Sequence, residues 1–119
     1  MTAENVIQNK PAVGSIYVDG DAQFYEVVKM TDKSITLRPI ESQRAGPDEG
    51  GEYLYSTPWL PCPGQYGKAR INYEYIDRPF TRRFSGLSGY YAYAVTIDHF
   101  RGFAVPWDGE PQNSWTNLG

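Results

Sequence analysis

Phe24-Tyr25-Glu26-Val27-Val28-Lys29-Met30, a break at Thr31-Asp32-Lys33, then Ser34-Ile35-Thr36-Leu37-Arg38-Pro39-Ile40 is the stretch on which the fold turns. Two runs rich in β-branched and aromatic residues, parted by a short polar break, predict an antiparallel hairpin. Alternation places Phe24, Glu26, Val28 and Met30 on one face of the first strand, and Tyr25, Val27 and Lys29 on the other. Neither face is wholly polar, so this strand belongs in the middle of a sheet or in a small closed barrel, with a core on one side and a covering segment on the other. Ile35 and Leu37 point inward from the partner strand, Thr36 and Arg38 outward. Pro39 has no N–H and is expected to end that strand or hold it at an edge.

Working outward, residues 1–12 are polar except for Val6, Ile7 and a few small residues, and predict a flexible N-terminal arm in preference to one short helical turn. The β-rich domain begins at residue 13, with a short strand over Ser15-Ile16-Tyr17-Val18-Asp19 closed by a turn at Gly20-Asp21-Ala22. Downstream, residues 41–52 carry Gly46, Pro47, Gly50 and Gly51 among charges and predict a mobile loop. Tyr53-Leu54-Tyr55 re-enters the sheet. Pro58, Pro61 and Pro63 then exclude a helix and a central strand alike, so an extended, polyproline-like crossing is expected, packed by Trp59 and Leu60.

In the second half, Ile71, Tyr73 and Tyr75 alternate with Arg70, Asn72 and Glu74, the pattern of one half-buried strand. Phe80 and Phe84 flank the same face as Arg82. Ser85-Gly86-Leu87-Ser88-Gly89 is a flexible connection, and the alternation of residues 90–97 predicts a further strand. A hairpin loop is expected at Asp98-His99-Phe100-Arg101-Gly102, followed by a returning strand at Phe103-Ala104-Val105 that Pro106 ends. Trp107-Asp108-Gly109-Glu110-Pro111 is a compact turn with an anchoring ring, and the tail is polar apart from Trp115 and Leu118.

No stretch has sustained helical periodicity. The fold expected is all-β or nearly so: one domain of five to seven short strands, as a small barrel or a strongly bent antiparallel sheet. A chain of 119 residues has room for one modest core. Ten Tyr and three Trp are many for that size, and such rings serve thin β cores and binding faces equally well. The formal charge of −3 disfavours nucleic-acid affinity driven by bulk charge. A lone cysteine, Cys62, excludes an internal disulfide framework and suits a reducing compartment. No apolar run approaches the roughly 20 residues of a membrane span, and no secretion signal opens the chain, so the expected location is the cytoplasm, with no membrane partner.

The hairpin strands, then Phe80-Thr81-Arg82-Arg83, then Val105-Pro106-Trp107-Asp108-Gly109-Glu110-Pro111, in this order, resemble a group of small uncharacterised proteins of bacteriophages, plasmids and other mobile elements. The resemblance spans roughly residues 15–115. That group's pattern opens with Ser-Trp-Gly-Tyr-Asp-Gln-Thr-Asn before the Phe-Tyr strand; here Ser15-Ile16-Tyr17-Val18-Asp19-Gly20-Asp21-Ala22-Gln23 stands in its place, without the Trp and the Asn. The resemblance implies a setting and no chemistry: an accessory protein of a mobile element, acting on a component of the host or of a rival.

Residues able to carry chemistry are few. His99 is the sole histidine and adjoins Asp98, but a general base needs a positioned partner and a nucleophile, which the sequence does not supply. Cys62 has no basic neighbour to lower its pKa and reads as an inert thiol. One His and one Cys leave a zinc site improbable, and Asp19 and Asp21 lack the further ligands of a calcium loop, so a plain turn is favoured. Gly86 and Gly89 form no phosphate loop. Glu26, among apolar neighbours, is expected to form a salt bridge with an adjacent strand. No catalytic residue, metal ligand or cofactor is therefore expected.

The charges are more informative. Beyond residue 60 there are six basic residues against five acidic, and before it five against nine. Arg70, Arg82 and Arg83 beside Tyr73, Tyr75 and Phe80 would form a face suited to phosphates and bases, or equally a protein-binding hot spot, unless they form an ordinary solvated strand face paired with the acidic first half. The expectation is a non-enzymatic protein that docks on a host protein, with inhibition of a bacterial defence system as one such role. Its partner-binding residues would be Arg70, Tyr73, Tyr75, Arg82, Arg83, Trp107 and Trp115. The alternative is a small nucleic-acid-binding β module using the same Arg and Tyr face; an enzyme built on Asp98 and His99, or a sugar-stacking surface, ranks lower.

Overall fold

The computed structural model describes residues 10–87 and 91–117. The arm expected at residues 1–12 lies mostly outside them, as do Gly89, Tyr90 and Leu118. Among the described residues eleven strands form: β1 (Ile16–Asp19), β2 (Phe24–Met30), β3 (Ser34–Arg44), β4 (Glu49–Gly50), β5 (Leu54–Tyr66), β6 (Ala69–Ile71), β7 (Glu74–Ile76), β8 (Phe80–Arg83), β9 (Val95–Asp98), β10 (Gly102–Pro106) and β11 (Gln112–Asn117). The all-β expectation holds, as a bent sheet and not a closed barrel. The strand count exceeds the expected five to seven because β4, β7 and β11 arise in stretches read as loop, continuous strand and tail, and β8 in a stretch to which no strand was assigned.

Nine strands share one sheet of order β11-β5-β3-β2-β1-β10-β9, with β4 beside β5 and β8 beside β3; β6 and β7 make a separate hairpin. The central hairpin forms where expected. Tyr17 sits opposite Tyr25 and Val18 opposite Phe24, so β1 and β2 present rings to both sides. Tyr17 and Tyr25 enter a larger core with Val27, Ile35, Leu37, Val95 and Ile97. Val18 and Phe24 join Ile40 in a smaller one, covered by Trp59, Val105 and Trp107. The two tyrosines of the larger core need their polar tips satisfied: the Tyr17 hydroxyl donates to the Tyr93 carbonyl at 2.7 Å and the Tyr25 hydroxyl to Asp19 at 2.8 Å.

Strict alternation fails at Val28. The β2–β3 register shifts between Val27 and Lys29, which makes Val28 the extra residue of a β-bulge and inverts the faces beyond it. Met30 therefore packs against the larger core beside Tyr25 and Val27, instead of lying with Phe24.

Two proline-based expectations are corrected. Pro39 does not end β3, which runs on to Arg44; it lies where the strand changes partner, after Ser34–Leu37 pair with β8 and before Ile40–Arg44 pair with β5. The loop expected at residues 41–52 thus shrinks, since residues 41–44 belong to β3 and Glu49–Gly50 pair with β5. Pro58, Pro61 and Pro63 do not keep β5 out of the sheet interior either. That strand is paired piecewise, with β11 over residues 54–59 and with β3 at Trp59, Leu60, Pro61 and Tyr66. Between Pro61 and Tyr66 the chain leaves the ladder, with Gly64 at φ +78°. Glu26 clamps this excursion by accepting from the Gly64 N–H at 3.0 Å and the Tyr66 hydroxyl at 3.2 Å, in place of the expected salt bridge.

The bend brings β8 round to face β9, and the seam between them is bridged by a side chain. Arg82 donates from Nε and Nη2 to the Thr96 and Ile97 carbonyls at 3.1 to 3.3 Å, and from Nη1 to the Thr81 carbonyl. Its guanidinium also lies 4.9 Å from the Phe80 ring centre. The strand expected over residues 90–97 begins only at Val95; Tyr91 and Ala94 form a turn before it.

Candidate functional site

Residues 70–75, expected as one strand, fold back as a hairpin. Ile71 sits opposite Glu74 and Arg70 opposite Tyr75, with Asn72 and Tyr73 at the turn, both left-handed at φ 51° and 68°. Positive φ at both central residues is the signature of a type I′ turn, which normally places glycine second. Here that place is held by tyrosine. Ala69, Ile71 and Ile76 anchor the hairpin in the larger core, while Arg70 and Tyr75 face out.

The β9–β10 hairpin meets this turn. Its loop, His99-Phe100-Arg101, ends at Gly102 with φ +69°, and the register shift beside it leaves Ile97 of β9 as the extra residue of a bulge. Asp98 organises both turns. One carboxylate oxygen accepts from the backbone N–H of Phe100 at 2.8 Å and Arg101 at 2.7 Å, and the other from the Asn72 N–H at 2.8 Å. Burial works to raise its pKa, but the N–H groups of Arg101, Asn72 and Phe100, with the Arg101 charge, outweigh it and hold the carboxyl below its ordinary value.

Arg101 ties in the β1–β2 turn. Its Nε donates to the Arg70 carbonyl at 2.7 Å, and its Nη1 lies 3.4 Å from Asp19 and 3.8 Å from Asp21. Asp19 is wholly buried and also accepts from the N–H groups of Asp21 and Gln23. Burial wins there: the Asp19 carboxyl is pushed above its ordinary value despite those bonds and the Tyr25 hydroxyl.

Three turns thus enclose a cavity of about 280 Å³ lined by Asp21, Arg70, Tyr73, Asp98, Phe100 and Arg101. Rings crowd its rim. Tyr73 meets Phe100 edge to face at 5.0 Å between centres, and Phe100 meets His99 in the same way at 5.4 Å. Tyr73, Tyr75 and Phe100 are 72%, 70% and 60% exposed, so this is a ring-rich surface open to solvent.

Of the residues singled out from the sequence, Arg70, Tyr73 and Tyr75 are brought together. Arg82 is committed to the β8–β9 seam. Arg83 lines a separate depression with Lys33 and Tyr93. Trp107 packs edge to face on Phe24 and donates to the Glu110 carbonyl at 2.7 Å, so its ring anchors a turn. Trp115 is 66% exposed on β11, which ends the strand order opposite to β9. The sequence signals the hairpin loop that presents Phe100 and Arg101 but carries no local sign that they line the cavity.

His99 is exposed, and the neighbouring carboxylate of Asp98 is spent on backbone N–H groups. Cys62 is a half-buried free thiol. Among the described residues, no three His, Cys, Asp or Glu side chains cluster as metal ligands, and no helix is long and apolar enough to cross a membrane. No family model matches the chain, and neither a curated protein nor a solved structure does.

Proposed function

We propose that this chain works by docking on another protein through the Tyr73, Phe100 and Tyr75 surface, with Arg70 supplying directional bonds. The observation that carries this reading is Tyr73 itself. A tyrosine held left-handed where glycine is preferred stores about 1 kcal/mol of backbone strain, and a 72% exposed ring contributes little packing in return. Strain retained at an exposed aromatic is what a contact residue would show, since protein-binding hot spots favour Tyr and Arg. The proposed partner, on the resemblance to mobile-element proteins, is a host protein, with a defence component as the proposed target and the host cytoplasm as the proposed setting.

The nucleic-acid reading is weaker on this surface. Arg70 and Arg101 face the cavity together with Asp21 and Asp98, and carboxylates beside the cations oppose phosphate.

Replacing Tyr73 by glycine tests the proposal. The change relieves the strained φ and removes the Phe100 edge contact of a ring that is mostly exposed, so stability is held or raised. Capture of a host protein from lysate, unaffected by nuclease and by high salt, is expected with the wild-type chain and lost with Tyr73→Gly. Capture that survives the substitution would refute the assignment of the surface, and capture abolished by nuclease would favour nucleic acid.

A further inference from the structure

We infer that Arg38 anchors a second binding site, which takes the carboxylate of a small monoanionic molecule. The site shares no residue with the cavity beside Tyr73 and is independent of the docking reading.

Arg38 is a half-buried cation that the fold positions without giving it a counter-ion. Its guanidinium lies 3.8 Å from the centre of the Tyr66 ring, and that ring is tied down by the bond from its hydroxyl to Glu26. Stacking occupies a face of the guanidinium and leaves its N–H edge, where all the donors lie, for an acceptor. Among the described residues none is supplied. Nε is sealed from solvent with no partner, and the two Nη groups form no hydrogen bond but stay accessible. A charged donor left unbonded in this way is costly to hold.

The obvious counter-ion is engaged elsewhere. Glu26 sits directly opposite Arg38 in the β2–β3 ladder, where neighbours of opposite charge normally pair. Its two oxygens accept instead from the Gly64 N–H and the Tyr66 hydroxyl. Glu41 and Asp77 line the cleft beside Arg38, yet neither forms an ion pair with it.

That cleft, of about 470 Å³, is lined by Arg38, Glu41, Tyr66, Gly67, Lys68 and Asp77, and its volume lies in the range of small-molecule sites. A planar carboxylate matches the fork of the two Nη groups, and Lys68 adds a second cation. The two acidic side chains balance the two basic ones, which selects against a dianion such as phosphate. Desolvating a double charge costs far more, and the walls offer no net positive charge to offset it.

NMR titration of the isotope-labelled chain with sodium propionate, at ionic strength held constant with sodium chloride, decides this. The reporters are the Arg38 Nε–H and the backbone N–H of Gly67, which donates to the Pro39 carbonyl at 3.0 Å. Both should shift and saturate with a dissociation constant on the order of 1 mM, and inorganic phosphate as the dianion should bind about tenfold more weakly. Arg38→Lys, which keeps the charge and loses the fork, should weaken the Gly67 response about tenfold. Lys68→Ala, exposed and away from the core, should weaken it severalfold and serves if that variant folds poorly. Tyr73→Gly should leave the titration unchanged. The inference is overturned by a chain that shows no saturating shift, by phosphate binding as tightly as propionate, or by a response indifferent to both Arg38→Lys and Lys68→Ala. Tighter binding of a capped tripeptide with a central glutamate would also overturn it, by placing the carboxylate on a protein partner.

Discussion

Replacing Arg82 by alanine should cost stability and leave docking alone. The side chain shares the face of β8 that carries Phe80 and Phe84, both packed against the larger core, and it reaches across the seam to Thr96 and Ile97. Hydrogen bonds from a charged group contribute about 1.5–3 kcal/mol net when well buried. Here the residue is half-buried and water can reach the vacated carbonyls, so about 2 kcal/mol for the whole set is the reasonable magnitude. For a domain of this size that lowers the melting temperature by about 8 °C. Arg82→Lys keeps the charge but not the planar fork, and should lose about half as much. Arg83→Ala, exposed on the next position, should stay within about 0.5 kcal/mol. Urea denaturation of the three variants gives the numbers, and amide exchange should quicken within Val95–Asp98. If Arg82→Ala proves as stable as wild type, or if Arg83→Ala costs as much, the seam is held by something other than this guanidinium.

Asp98→Ala should destabilise by about 2 kcal/mol, since three backbone N–H groups lose their acceptor; thermal melts of the variant check this. Because the folded pKa of Asp98 is depressed, its contribution is present above the unfolded value near ~3.9 and is lost as pH falls through the folded value. Asp19 has the opposite sign: its raised folded pKa adds stability at low pH that is lost as pH rises through that pKa. Asp98→Asn should therefore flatten the loss of stability below about pH 4, and Asp19→Asn should not; melting temperatures at stepped pH separate the two. Glu26→Ala should free the excursion between Pro61 and Tyr66, seen as faster proteolysis there with the rest of the chain protected.

Where local patterning and tertiary pairing agreed, the chain could be read directly. Both strands of the Phe24 hairpin begin where expected, and the break at Thr31-Asp32-Lys33 and the loop after Asp98 fall in place. The misreadings share one cause, which is that a long-range partner overrode a local rule. Pro58 and Pro61 argue against a sheet interior only if every residue of a strand must donate, and β5 is paired in pieces. Val28 reads as one more alternating position until β3 is seen to skip it. The Asn72-Tyr73 turn was hidden because Tyr73 occupies a glycine position, so the alternation of Ile71, Tyr73 and Tyr75 imitated a continuous strand. For the site, Arg70, Tyr73 and Tyr75 were legible as an Arg and Tyr cluster. Arg82, grouped with them by charge, instead donates across the β8–β9 seam, in keeping with its alternation with Phe80 and Phe84.

β3 serves two masters along its length, pairing β8 with one half and β5 with the other. The two cores consequently share a single backbone, and neither can melt without dragging that strand from its other neighbours. Denaturation should be all-or-none, and a chain severed within β3 would orphan both halves. New termini are better opened in the turn between β3 and β4, where a circularly permuted chain keeps this common spine whole.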